Sequence, residues 1–138
     1  MNAIILQPTD ALPLWFHGRR LAACSSRRRV WDDAWFAERW FEFEACETAA
    51  GDFVLAIGYD CIPRWMDEDD VPHLTVYRCR NLRELHRRLN DHDYERYVRV
   101  NYTPCDRYDL VEVTQMHVDE LVFDARIAGR VVLEAIRD

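Results

Sequence analysis

The sequence predicts an α+β domain in which an antiparallel sheet of four to six strands, mostly N-terminal, packs with two or three helices. Three observations support this fold class. Apolar and polar residues alternate in the first half, apolar residues recur every three or four positions in the second half, and turn-forming residues separate the segments. Since the 138 residues contain no repeat and no linker-like tract, we expect a single domain over 1–138.

The clearest strands predict a hairpin in the first half of the chain. Apolar and mostly acidic side chains alternate from Trp40 to Thr48, which is typical of a strand with one buried face. Thr48–Asp52 has the composition of a turn. Phe53–Asp60 is apolar on both faces, which predicts a central strand paired with the first one.

Two other regions have strand patterns. Leu14–His17 and Leu21–Ser25 flank Gly18, and this arrangement indicates a bent or bulged hairpin. His73–Cys79 follows a proline and predicts a further strand.

The helices are expected in the C-terminal half. Asn81 is a typical N-cap, and the leucines after it share one face, so we predict an amphipathic helix over 81–90 that ends at Asp91–Asp93. Residues 115–137 predict helix, in one piece or in two around Asp124. Shorter patterns predict a helical turn over Trp31–Arg39, a strand or short helix over Tyr94–Tyr102, and a short strand over Leu110–Val113.

The basic residues other than histidine are all arginine, 18 in number, and the chain has no lysine. This excludes the phosphate-binding lysine of P-loop enzymes, Schiff-base catalysis and the lysine of protein kinases. Ser25 and Ser26 lack the glycines of a nucleophile elbow, and the four glycines form no phosphate-binding loop. We therefore expect no catalytic residue, no cofactor and no enzymatic activity.

The net charge of −7 is unevenly distributed along the chain. Residues 1–30 carry five arginines against one acid, residues 31–72 carry twelve acids against two arginines, and residues 73–138 carry twelve acids against eleven arginines. The middle third therefore has a formal charge of −10. An acidic surface of this kind steers association with a basic partner.

The sequence favours a non-enzymatic acidic protein-interaction module that engages a basic, nucleic-acid-binding surface. Inhibitors carried by phages or mobile elements, of the anti-CRISPR or anti-restriction type, are examples of such modules. If exposed, Trp31 and Trp35 would be further interface anchors. The predicted partner-binding residues are Asp32, Asp33, Glu42, Glu44, Glu47, Trp65, Asp67, Glu68, Asp69 and Asp70.

The predicted hairpin resembles a feature of small proteins carried by phages and plasmids. Arg39–Glu42 and Thr48–Leu55 are similar to their opening strand, T-x-x-G turn and second strand. The likeness spans the 17 residues from Arg39 to Leu55 and is that of a hairpin, not of a family.

An alternative hypothesis is a small metal-binding or hydrolytic enzyme built from dispersed residues. The candidates are His73, His86 and His92, with Cys61 or Cys79. No two cysteines have the C-x2-C spacing of zinc sites, and Asp67–Asp70 lacks the glycine and spaced acids of a calcium loop. We therefore predict no resident metal.

Arg27–Arg29, with Arg19 and Arg20 nearby, is the basic cluster of the sequence. It is interpreted either as a source of ion pairs with the adjoining acidic third or as a small basic patch for nucleic acid or an acidic protein. Because the whole chain is acidic, we do not expect direct binding of nucleic acid.

The compartment is predicted from the cysteines and the N-terminus. The five cysteines are odd in number and widely spaced, and Met1–Leu6 has no basic region of a secretory leader. No apolar run approaches the about 20 residues that a membrane span needs. We expect a reduced, cytoplasmic protein that does not bind membranes.

Overall fold

A computed structural model describes residues 1–28, 39–62, 71–98 and 109–137, with only the backbone described for 109–114 and residue 137. The elements of these residues are β1 (Asn2–Leu6), β2 (Leu14–Ser25), β3 (Arg39–Thr48), β4 (Phe53–Cys61), β5 (His73–Cys79), α1 (Leu82–Asp91) and α2 (Asp109–Arg137). The strands form one antiparallel sheet in the order β1-β2-β3-β4-β5. The predicted α+β class, with an N-terminal sheet and C-terminal helices, is confirmed.

The β3–β4 hairpin is the predicted one and lies at the centre of the sheet. Gly51 has a φ of 91°, a left-handed conformation that only glycine adopts without strain, and this permits the tight turn. Thr48 closes the turn: its backbone N–H donates to the Asp52 carbonyl at 2.9 Å, and its hydroxyl bonds to the Asp52 carboxylate.

One face of the hairpin packs against the helices. Alternate residues of β3 and β4, including Phe41, Phe43, Leu55 and Ile57, point to this side and are buried. The helical side chains that complete this main core are Leu85, Leu89, Val118, Leu121, Ala125, Ala128 and Val132.

The part of the opposite face that lies near the β3–β4 turn is covered by the β1–β2 hairpin. Cys46 and Val54 are buried against Phe16, and apolar side chains of β1, β2 and β5 surround them. The loop after β1 reaches β5, where the Thr9 N–H donates to the Leu74 carbonyl at 3.0 Å and the Thr9 hydroxyl accepts from the Leu74 N–H at 2.7 Å. The sheet therefore curves around a second, smaller core.

The predicted hairpin around Gly18 is wrong, although the predicted bulge is present. Residues Leu14–Ser25 form one continuous strand, whose register against β3 shifts between Arg20 and Ala22. Gly18 is not in a turn: a Cβ at this position would collide with the backbone carbonyl oxygen of Glu47. The glycine is needed for close approach of two strands.

The helices agree with the predictions in position but differ in detail. The Asn81 side chain accepts from the Glu84 N–H at 2.9 Å, which confirms the N-cap of α1. The second helix is a single piece of 29 residues, so the short strand predicted over Leu110–Val113 is wrong. Residues 94–97 form turns and Val98 is buried in the main core, while most of Trp31–Arg39 and residues 99–102 lie outside the described residues.

Replacement of Gly18 by alanine is expected to destabilise the protein by about 1–3 kcal/mol, because the new Cβ forces two backbones apart. Gly58→Ala is the matched control: Gly58 is also in a strand, but its Cβ would meet the nearest atom, Leu74 Cδ1, at an ordinary 3.5 Å. We expect it to change stability by less than about 1 kcal/mol. Urea unfolding of both variants measures the difference, and equal losses would contradict this role of Gly18.

Candidate functional site

The predicted partner-binding residues fall into two groups. Glu42, Glu44 and Glu47 lie on β3. The other seven (Asp32, Asp33, Trp65, Asp67, Glu68, Asp69 and Asp70) lie outside the described residues, as do Trp31 and Trp35.

Two of the three β3 glutamates are paired with arginines of the neighbouring strand. Arg20 Nε lies 3.1 Å from Glu44 Oε1, and Arg19 Nη2 lies 3.5 Å from Glu47 Oε1. Glu42 is exposed and accepts a hydrogen bond from the Trp40 indole at 2.7 Å. Of the three, Glu42 is therefore the one best placed to present its charge to a partner.

The pairing of β3 with β4 brings the points at which the two acidic stretches join the sheet to one end of it. Arg39, the first residue of β3, is the register partner of Cys61, the last residue of β4. Segments 31–38 and 63–70 are therefore both attached at this end, which also carries Glu42 and Asp60 on one face of the sheet. We call Glu42, Asp60 and the acids of these two segments the acidic end.

The basic cluster makes only some of the predicted contacts. Arg19 and Arg20 do pair with the acidic third, as interpreted. Arg28 binds α2 instead, with Nε 2.6 Å from Asp124 Oδ2 and Nη2 3.1 Å from Glu120 Oε2. The Arg27 guanidinium lies over the Trp40 ring, 4.0 Å from its centroid. Arg29 lies outside the described residues.

The cysteines of the alternative hypothesis are core residues. Cys61 and Cys79 are buried in the main core. Burial raises the pKa of Cys79 to about 11, so its thiol is protonated near neutral pH and is a poor nucleophile or metal ligand. Within 1–28, 39–62, 71–98 and 109–137, no group of three or more His, Cys, Asp or Glu side chains is arranged to hold a metal ion.

Two of the three candidate histidines meet in one cleft. His73 and His92 both line a space of about 280 Å³ between β5, the loop after β1 and the turn after α1. His86 lies elsewhere, in a depression formed by α1 and Arg80. The residues of this cleft are present in the sequence, but no spacing between them indicates that they meet in one site.

Around His73, the cleft has an ordered set of ring and hydrogen-bond contacts. The His73 ring is stacked on Tyr97 with centroids 3.5 Å apart. Its Nε2 lies 3.2 Å from Asp10 Oδ2, and its Nδ1 lies 3.4 Å from the Thr75 hydroxyl. The imidazole is thus held in one orientation by an acid on one side and a hydroxyl on the other.

His92 forms the buried side of the same cleft. Its Nδ1 is 2.7 Å from the Tyr77 hydroxyl, and the Arg88 guanidinium lies over the Tyr77 ring. Burial lowers the pKa of His92 to about 4, although the charge of Asp93 opposes this shift. Burial also raises the pKa of Tyr77. Both groups are therefore neutral at physiological pH.

Comparisons with known proteins do not assign this chain to a group: no protein-family model, no curated protein and no solved structure matches it. Among its described residues, no helix is long and apolar enough to cross a membrane.

His92 is expected to make stability depend on pH. An unfolded histidine titrates near 6.5, whereas folded His92 titrates near 4, so between these values the unfolded chain binds a proton that the folded chain does not. The stability due to neutral His92 is complete above about pH 6.5 and decreases as the pH falls. The expected loss between about pH 7 and about pH 5 is about 2 kcal/mol.

The measurement is urea unfolding at both pH values for the wild type, His92→Gln and His86→Gln. Because a glutamine side chain cannot titrate, the first variant is expected to lack this part of the pH dependence, while the His86→Gln control retains it. The same pH dependence in all three proteins would show that His92 is not the responsible group.

Proposed function

We propose that this protein is a non-enzymatic protein-interaction module whose acidic end engages a basic surface of a partner protein. The observation that carries the proposal is the pairing of Arg39 with Cys61, which attaches both acidic segments to one end of the sheet beside Glu42 and Asp60. Acids that are separated in the sequence are thereby attached at one end of the sheet, where we expect their charges to add to one local potential.

The nature of the partner follows from this charge. A cluster of carboxylates attracts arginine and lysine side chains and increases the rate of encounter with a basic protein. A groove that binds nucleic acid is lined with such side chains, and an acidic protein that occupies it competes with the phosphate backbone. The specific form of the proposal is an inhibitor of a nucleic-acid-binding complex, of the kind carried by phages or mobile elements.

The opposite end of the same hairpin offers a matched control. Glu47 and Asp52 lie next to the β3–β4 turn, and each is within ion-pair distance of an arginine, Arg19 and Arg78 respectively. Their charge is partly compensated within the protein. Neutralising them therefore provides a control with the same change in net charge and in the same hairpin.

The test is binding of a fluorescent arginine-rich peptide at low salt, followed by anisotropy. Glu42→Gln with Asp60→Asn is expected to weaken binding about threefold, since exposed charges each contribute a few tenths of a kcal/mol or more. Neutralising Asp67, Glu68, Asp69 and Asp70 together is expected to weaken it about tenfold. High salt is expected to abolish binding of the wild type.

The control Glu47→Gln with Asp52→Asn is expected to weaken binding less than twofold. Equal weakening by both double variants would show that only total charge matters, and the proposal of a defined acidic end would fail. Capture of a basic partner from a host lysate, lost on neutralising residues 67–70 and retained in the control, identifies the partner. Competition with duplex DNA then tests whether the captured surface binds nucleic acid.

The histidine cleft favours a second candidate function, a small hydrolytic site in which His73 acts as general base. The contacts of its ring with Asp10 and Thr75 resemble those that orient a catalytic imidazole. This candidate predicts that the protein hydrolyses p-nitrophenyl acetate faster than free imidazole does at equal concentration. His73→Gln should remove this excess and His86→Gln should not. Equal rates in all three proteins would eliminate the candidate.

A further inference from the structure

The long helix α2 has a second apolar stripe on the side that faces away from the sheet. Met116, Phe123, Ile127 and Val131 are 60, 63, 45 and 48% exposed, respectively. Four large apolar side chains on one exposed helix face are unusual for an isolated domain, and such patches mark interaction sites. The patch is independent of the acidic end and of the function proposed for it.

The spacing of these residues places them on one line. With 100° per residue, positions 116, 123, 127 and 131 fall within about 80° of one another around the helix axis. The buried residues of the same helix, such as Leu121, Ala125 and Val132, lie on the opposite side. α2 therefore has large apolar side chains on two faces. The described part of the fold covers one face, and Glu120 and Glu134 interrupt the other.

Charges of both signs lie beside the outward stripe. Glu120 is bound to Arg28, Arg126 donates to the Asn90 carbonyl at the end of α1, and Glu134 lies on the same side as Met116. The division of charge therefore depends on Asp119 in the N-terminal half and Arg130 in the C-terminal half, and in an antiparallel pair Asp119 of each helix meets Arg130 of the other. A parallel pair brings like charges together. Antiparallel packing also orients the two helix dipoles in opposite directions, which makes their interaction favourable.

The charges and the apolar stripe share one centre. The midpoint of Asp119 and Arg130 lies between residues 124 and 125, and the midpoint of Met116 and Val131 lies between 123 and 124. A two-fold axis near this point pairs Asp119 of each copy with Arg130 of the other and packs Phe123 against Ile127 across the axis. Such self-complementarity is what an isologous interface requires.

We propose that the outward stripe of α2 binds a second copy of this chain, forming a two-fold symmetric dimer through antiparallel packing of the two α2 helices. The stripe extends over about 22 Å of helix, at 1.5 Å per residue. Eight large apolar side chains meet in the dimer, and the Asp119–Arg130 pairs lie at its edges and determine the orientation.

The first test is sedimentation velocity over a concentration series. The wild type is expected to change from a 16.5 kDa monomer to a species of twice that mass as the concentration rises. Phe123→Gln with Ile127→Gln is expected to raise the dimer dissociation constant by at least about tenfold, because each change occurs twice in the dimer. Glutamine suits an exposed helix position, and circular dichroism confirms that the fold is retained.

The control variant replaces two other exposed apolar residues, Ile5→Gln with Leu12→Gln, which are 67 and 87% exposed on the β1–β2 hairpin. It is expected to leave the dimer dissociation constant unchanged. If the control variant loses dimerisation as much as the Phe123 and Ile127 variant does, the chains associate through general hydrophobic contacts and not through the outward stripe. A wild type that stays monomeric at all concentrations would overturn the proposal.

The second test is a charge exchange that depends on the orientation. Asp119→Arg alone and Arg130→Asp alone each place like charges together and are expected to weaken the dimer about tenfold. The double variant restores opposite charges in an antiparallel pair and is expected to regain most of the wild-type affinity. A double variant no tighter than the single ones would overturn the antiparallel arrangement.

Discussion

The rest of the structure depends on the burial of apolar side chains on both faces of the β3–β4 hairpin. Phe41, Phe43 and Leu55 on one side and Cys46 and Val54 on the other are each no more than 2% exposed. Apolar side chains on two faces of a sheet must be covered on each face. The helices cover one face, and the β1–β2 hairpin covers the part of the other face that lies near the turn. The positions of the peripheral elements are therefore consequences of the central hairpin.

Patterns formed by neighbours in the sequence predicted the structure, whereas features that depend on distant contacts could not be predicted. The alternation along β3 and the Asn81 cap are local, and both are present as expected. Gly18 has the sequence context of a turn, but its role is set by the backbone of Glu47, in another strand. Leu110–Val113 has strand-like composition, but it belongs to a helix whose later turns pack on the sheet, and tertiary packing overrides such local preferences.

The candidate sites show the same difference between local patterns, which the sequence predicts, and contacts between distant residues, which it does not. Summing charge along the sequence overstated the negative surface, since Arg19 and Arg20 reach Glu47 and Glu44 from a neighbouring strand. The histidine cleft joins loops and strands far apart in the chain, which no spacing rule could indicate. Unlike the histidine cleft, the attachment of both acidic segments at one end of the sheet follows from antiparallel pairing alone. It could have been derived from the predicted hairpin.

The orientation of α2 on the sheet is determined by its buried face, which includes the fully buried Leu121, Ala125 and Val132. The two-pronged contact of Arg28 with Asp124 has a defined direction and agrees with this orientation. A partly exposed ion pair adds little stability, so it supports this orientation and does not determine it. Burial of Leu121, Ala125 and Val132 against the sheet leaves Phe123 and Ile127 on the other side of the helix. The outward stripe is therefore a consequence of which face of α2 packs on the sheet.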